Sequence, residues 1–180
     1  IHSTTKFLNG HGNSISGAVI GKDVDFMLEK VWKVMKLVGT NSNAFDAWML
    51  NNGLKTLELR MDRHCKNADA LAHFLQKNKK VALVNHPSLE THPDFDLAKK
   101  QMNGSGGMLS FELDGGFEAA VKFMERLQFC TLAPTLGDVD TLIVHPASMS
   151  HMDIPKAERE AVGITDGLIR VSVGIENIQD

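Results

Sequence analysis

Lys6 follows three hydroxyl residues, Ser3, Thr4 and Thr5, where Ile1-His2 reads as the end of a strand. A lysine amine at such a strand-to-loop exit can attack a carbonyl carbon once it has lost its proton. A partly buried, already cationic site favours that loss. Hydroxyls beside the lysine can donate hydrogen bonds to a phosphate. Taken alone, the tetrapeptide is a weak pattern that reads more readily as a structural loop than as a site. Arg170 offers a second kind of chemistry, because a planar guanidinium can grip a carboxylate with two parallel hydrogen bonds. An isolated arginine in a strand would serve a surface salt bridge instead.

Other residue types lead less far. The eight histidines invite a metal reading, yet neither His-Glu-x-x-His nor Cys-x-x-Cys occurs. The pair His145 and His151 is too loosely spaced to specify zinc, so no metal site is expected. His11 and His145 read as structural hydrogen-bonders. Asn103-Gly104-Ser105-Gly106-Gly107 could be taken for a phosphate loop, but no Lys-Ser or Lys-Thr follows it and it reads as a turn.

The elements that must position these residues alternate. Ile15 to Ile20 suits a buried strand. Asp23 to Leu37 has helical spacing with Asp23 as N-cap, and Gly39 to Asn43 breaks it. Ala44 to Asn51 reads as a helix, joined near Gly53 to a longer one whose apolar face is Leu54, Leu57, Met61, Cys65, Ala68, Leu71 and Leu75. Cys65 on that face is expected to be an inert core thiol. Strands are predicted over 81–84, 108–113, 129–133, 142–144 and 168–173. Helices are predicted over 95–102 and 117–127, with a short one begun by Pro155. The balance is α/β, with helices on one face of a small sheet.

Composition sets the outer bounds. The chain has 180 residues, 43% hydrophobic and 23% charged, with a formal net charge of -3. That charge argues against a nucleic-acid binder, which needs clustered Lys and Arg. No run of about 18 apolar residues is present to span a membrane. Two cysteines and nine methionines suit a reduced, cytoplasmic protein. Both ends look cut, so the chain is expected to be part of something longer.

In context, Ser3 to Gly12 (Ser-Thr-Thr-Lys-Phe-Leu-Asn-Gly-His-Gly) closely resembles the lysine segment of the Cys/Met-metabolism enzymes dependent on pyridoxal phosphate (PLP), the family of cystathionine γ-synthase, cystathionine γ-lyase and methionine γ-lyase. The small-residue run Ser16-Gly17-Ala18-Val19-Ile20-Gly21 fits as well. The resemblance continues in order through Gly53-Leu54-Lys55-Thr56-Leu57 with Arg60 to His64, Gly107 to Leu113, His145 to His151, and Gly163 to Gly174. The last two stretches are highly specific.

This resemblance implies a fold-type I PLP-dependent transferase fold of the aspartate aminotransferase-like kind. Residues 1–57 would be the tail of the large cofactor domain, and residues 58–180 the small C-terminal α/β domain without its last helix. Lys6 is implied as the Schiff-base lysine that also moves protons, and Ser3 and Thr5 as the phosphate-binding hydroxyls. Thr4 would point away. Arg170 is implied to bind the substrate α-carboxylate, aided by Thr135 at a position that is usually serine. The family assembles as homotetramers, dimers of dimers with each site shared between subunits.

Two departures bear on the substrate. Cystathionine synthases and lyases of the family commonly carry Glu just before the residue that Thr135 matches. Here Pro134 stands there and cannot supply a carboxylate for a distal amino group. That favours methionine or an acylated homoserine as substrate. Elimination and replacement use the same residues, and the resemblance is read as α,γ-elimination to a thiol, ammonia and 2-oxobutyrate. The alternatives are γ-replacement or cystathionine cleavage, and a catalytically silent scaffold of the same fold. The chain also has no tyrosine, although the family stacks one on the pyridine ring. That tyrosine and the Asp that pairs with the ring nitrogen precede the lysine in family members.

Overall fold

The computed structural model describes residues 1–180, which divide into two compact units, Ile1–Leu57 and Glu58–Asp180. In the first unit, strands β1 (His2–Ser3) and β2 (Gly17–Ala18) pair antiparallel, with His2 opposite Ala18 and Ser3 opposite Gly17. Between them Thr4–Leu8 form one wide helical turn. The expected strand 15–20 is thus only two residues long, and Ile15 (85% exposed), Val19 and Ile20 face outwards. A strand is buried only when neighbours flank it and a layer covers it. β2 has one short partner and gains neither.

Helix α1 (Val24–Phe26) runs through a π-helical stretch, Met27–Trp32, into α2 (Lys33–Val38). Asp23 caps it as expected, its carboxylate accepting the Phe26 N–H at 2.9 Å. Gly39 ends it in the left-handed region, at φ 75°, where glycine carries no steric penalty. Asn43 caps α3 (Ala44–Leu54) through the Asp46 N–H at 2.9 Å. Gly53 lies inside α3, and the break falls after it, at Lys55 and Thr56.

The second unit begins on the long helix α4 (Leu57–Gln76) and continues through strand β3 (Val81–Asn85), helix α5 (Phe95–Gln101), strand β4 (Met108–Leu113) and helix α6 (Gly116–Glu125). Strands β5 (Thr131–Leu132) and β6 (Leu142–Val144), helix α7 (Lys156–Ala161) and strand β7 (Leu168–Ser172) complete it. The sheet order is β3-β4-β7-β6-β5, antiparallel except for β5 with β6. Side chains alternate across a strand. Leu109 and Phe111 of β4 and Ile169 and Val171 of β7 therefore share one face with Ala68, Ala72 and Leu75 of α4 and Ala120 and Met124 of α6. Burying these side chains is the main stabilising term, at roughly 1.5–3 kcal/mol for each large one. Helices α4 and α6 thus lie on one face of the sheet.

The buried face of α4 differs from its apolar pattern. Arg60, His64 and Asn67 are buried there, while Leu54, just before the helix, is exposed and Cys65 is only half-buried. For His64 and Asn67 the cause is the carbonyl row that leaves β7. The Val173 carbonyl accepts the His64 Nδ1–H at 2.6 Å, and Asn67 Nδ2 donates to the carbonyls of Gly174 (3.1 Å) and Glu176 (2.9 Å). Leucines there would leave those acceptors unbonded, at about 1–3 kcal/mol each. Burial pushes the His64 pKa down, only partly opposed by its bond to Val173. No helix is long and apolar enough to cross a membrane.

Candidate active site

In the first unit, Ser3, Thr5 and Lys6 lie together on one short segment. The backbone of Lys6 breaks its helical turn (φ -90°, ψ -139°), and the lysine is half-buried. Ser16 holds this segment. Its carbonyl accepts the N–H groups of Thr4 (3.0 Å) and Thr5 (3.3 Å), and the hydroxyl of buried Thr4 bonds to the Ser16 hydroxyl. Thr4 thus faces inward, while Ser3 is exposed. The Thr5 hydroxyl accepts the Ser16 N–H at 3.0 Å and directs its proton to the Ser16 carbonyl at 3.2 Å. That proton would have to turn away from Ser16 to reach a phosphate, and the Ser16 N–H bond could be kept. The donor set fits PLP: an amine for the aldehyde and hydroxyls for the phosphate.

Further supports follow the lysine along the segment. Asn9 is buried and its amide donates to Asn13 Oδ1 at 2.7 Å, while the Asn9 carbonyl accepts the His11 Nδ1–H at 2.6 Å. Gly53 of α3 backs onto Asn9 so closely that a Cβ there would lie 2.8 Å from the Asn9 Cα. The hydrogen bond of His11 agrees with its reading as a structural residue, whereas nothing local marks the contact of Gly53 with Asn9, because the two are far apart along the chain.

In the second unit, Arg170 and Thr135 come together. Register places Arg170 of β7 between Ser110 of β4 and Val144 of β6. By alternation it lies on the sheet face opposite the helices. Its Nη2 donates to the carbonyls of Thr135 (2.9 Å) and Pro134 (3.2 Å), while its buried Nε–H meets no protein acceptor. Burial lowers the guanidinium pKa from its ordinary value, which leaves its charge intact. A fixed cation with an unused buried donor is suited to an incoming carboxylate.

The loop that carries Pro134 and Thr135 is the connection from β5 to β6, residues 133–141, shorter than the dozen or so residues of a usual parallel crossover. It is fastened to the end of β7. The Ser172 hydroxyl accepts the Gly137 N–H at 2.8 Å, and the Val139 carbonyl accepts the Ile175 N–H at 2.8 Å. The Glu176 carboxylate accepts from the Thr141 N–H (2.5 Å) and hydroxyl (2.9 Å). Gly137 sits at φ 83°, a left-handed turn that a side chain would strain. His145, next along from Val144, is buried with its ring against Phe117 of α6 (centroids 5.3 Å apart) and is fully bonded, to the Asp166 carbonyl through Nε2 (2.9 Å) and to the Ser148 hydroxyl through Nδ1 (2.8 Å). Asp166 in turn accepts from Lys156 at 2.5 Å and from Arg159, and both hold its carboxyl below the usual range. These contacts give the segment 145–167 its structural reason.

The whole chain, residues 1–180, matches the family described as Cys/Met metabolism PLP-dependent enzyme. It is 49% identical over 180 residues to an L-methionine gamma-lyase of Fusobacterium nucleatum subsp. nucleatum, covering 100% of this chain and 46% of that protein. It is 48% identical to a cystathionine beta-lyase of Coxiella burnetii, covering 99% of this chain and 46% of the relative. Among solved structures it superposes with TM-score 0.92 and 44% identity on cystathionine gamma synthase from Xanthomonas oryzae pv. oryzae in complex with cystathionine, over 99% of this chain and 46% of that one. The chain thus spans less than half the length of these relatives. Its fold is α/β, that of the fold-type I PLP-dependent enzymes. The chain belongs to the Cys/Met-metabolism PLP-dependent family.

Proposed function

We propose that the full-length protein is a PLP-dependent carbon–sulfur lyase that removes the γ-thiol of methionine-type amino acids, giving a thiol, ammonia and 2-oxobutyrate. Residues 1–57 are read as the tail of the large cofactor domain and residues 58–180 as the small domain. The assembly is read as a homotetramer whose sites are shared between subunits. PLP, when bound, draws electrons from the substrate Cα and so acidifies the bonds around it.

The chain's own residues divide the remaining work. Lys6 holds the cofactor through its amine and, once released, takes the proton from the substrate Cα and returns it elsewhere. Ser3 and Thr5 donate to the phosphate. Arg170 binds the substrate α-carboxylate and thereby fixes the Cα–H bond for removal. The Thr135 hydroxyl bonds to the same carboxylate. The observation that carries this reading is the Arg170 guanidinium, held by two loop carbonyls with its buried Nε–H unbonded by protein. Preference for methionine over cystathionine rests on Pro134, which offers a carbonyl and no carboxylate.

The deciding test is the visible spectrum of the full-length protein with PLP, before and after methionine is added. A spectral shift with release of thiol and 2-oxobutyrate is expected. A shift without thiol release moves the assignment to γ-replacement or to cystathionine as substrate. No visible absorption at all would favour a catalytically silent scaffold.

A further inference from the structure

Strand β7 puts two polar side chains on the sheet face away from the helices, Arg170 and, two residues on, Ser172. Ser172 is only 1% exposed, so its hydroxyl has a partner or carries a desolvation penalty. That partner is not another side chain but the backbone N–H of Gly137, at 2.8 Å. Gly137 lies two residues after Thr135, in the loop whose Pro134 and Thr135 carbonyls receive Arg170 Nη2. The two bonds run in opposite directions across the same gap. Arg170 reaches from the strand to the loop, and Gly137 reaches from the loop to the strand.

We propose that Ser172 is a positioning residue for Arg170: its hydroxyl latches the loop 134–137 onto β7 so that the Pro134 and Thr135 carbonyls hold the guanidinium in its carboxylate-binding orientation. This rests on the reading of Arg170 as the substrate-carboxylate ligand. The other fastenings of the loop, Val139 to Ile175 and Thr141 to Glu176, grip its far end. Upstream, the Ala133 N–H is fixed to the Ile143 carbonyl at 3.1 Å. Between those anchors the Ser172 hydroxyl holds Gly137, just after the two carbonyls that Arg170 itself reaches. Removing its oxygen frees the Gly137 N–H in a buried place, and the loop relaxes to hydrate it, carrying away the carbonyls that orient Arg170.

The test uses the full-length protein loaded with PLP and reads the Kd of norleucine, an amino acid with no γ leaving group, from the cofactor's spectral shift. Ser172→Ala is expected to raise that Kd and the KM for methionine about tenfold, with a smaller change in kcat. The unliganded cofactor spectrum should be unchanged, and the Gly137 amide should lose hydrogen-exchange protection. Ser172→Cys, of similar size but with a weak acceptor, keeps the core filled should the alanine variant fail to fold. It is expected to raise the Kd about threefold. A lowered Tm with unchanged Kd and KM in a folded variant would overturn the latch and leave Ser172 a mere core hydroxyl. Arg170→Lys is the control: if it leaves the Kd unchanged, the carboxylate reading of Arg170 fails rather than the latch.

Discussion

The two units handle their apolar side chains in opposite ways. The second builds a core of its own, with Phe111, Ile169, Ala68 and Ala120 at most 2% exposed, and carries Arg170 and Ser172 on the far face of the same sheet. The first leaves Ile15, Ile20, Leu37, Phe45 and Trp48 mostly exposed, and Met49 is its one buried large hydrophobic side chain. The first unit therefore presents a hydrogen-bonded lysine segment with little core behind it, whereas the second presents a core that holds the Arg170 strand in place. In the first, backbone bonds to Ser16 do the positioning. In the second, strand alternation and a fastened loop do.

The largest expected effect separates chemistry from stability. Lys6→Ala in the full-length protein should abolish the visible absorption of bound PLP and cut turnover on the order of a thousandfold or more. The Tm measured without PLP should stay close to that of the parent. A retained visible band would remove Lys6 as the cofactor-bearing residue and, with it, the contrast between the units. Phe111→Ala should act in reverse, costing about 3–5 kcal/mol in a denaturant titration. The wavelength of the cofactor band should not move, because Phe111 faces the helices and not the Arg170 face. A loss under about 1 kcal/mol would mean that the second unit has no core of its own.

A smaller effect is the pH dependence of stability. Burial lowers the pKa of both His64 and His86 in the second unit. The unfolded chain then binds more protons than the folded one below about pH 6.5. Stability should be full above that pH and decline as the pH falls toward the folded values, by at most about 1.4 kcal/mol per pH unit for each histidine. Urea midpoints across that range check the slope. His64→Gln should remove part of it. An unchanged slope in that variant would place the titrating groups outside the buried end of α4.

Periodicity was enough for most of the second unit. Strands were read correctly at 108–113 and 168–173, and the register of the structure then set Arg170 on the face opposite the core. The weaker readings share a cause. Ile15 to Ile20 has the composition of a buried strand, but composition carries no information about which neighbours will flank it. His64 and Asn67, buried on α4, were missed because their partners are backbone carbonyls a hundred or more residues away. A helical wheel ranks side chains by polarity and so assigns Arg60, His64 and Asn67 to solvent.

The chemical identities and their order along the chain were settled by sequence: a lysine behind hydroxyls, an arginine within an alternating strand, and a proline where a carboxylate could have stood. Those are local properties, legible wherever residue type and short-range spacing are sufficient. Tertiary structure alone decided that Thr135 meets Arg170 through its carbonyl, that Ser172 fastens Gly137, and that Gly53 must lack a side chain to admit Asn9. Each brings a backbone group against a residue distant in sequence, and backbone groups are nearly the same at every residue, so no residue pattern records which pair will meet.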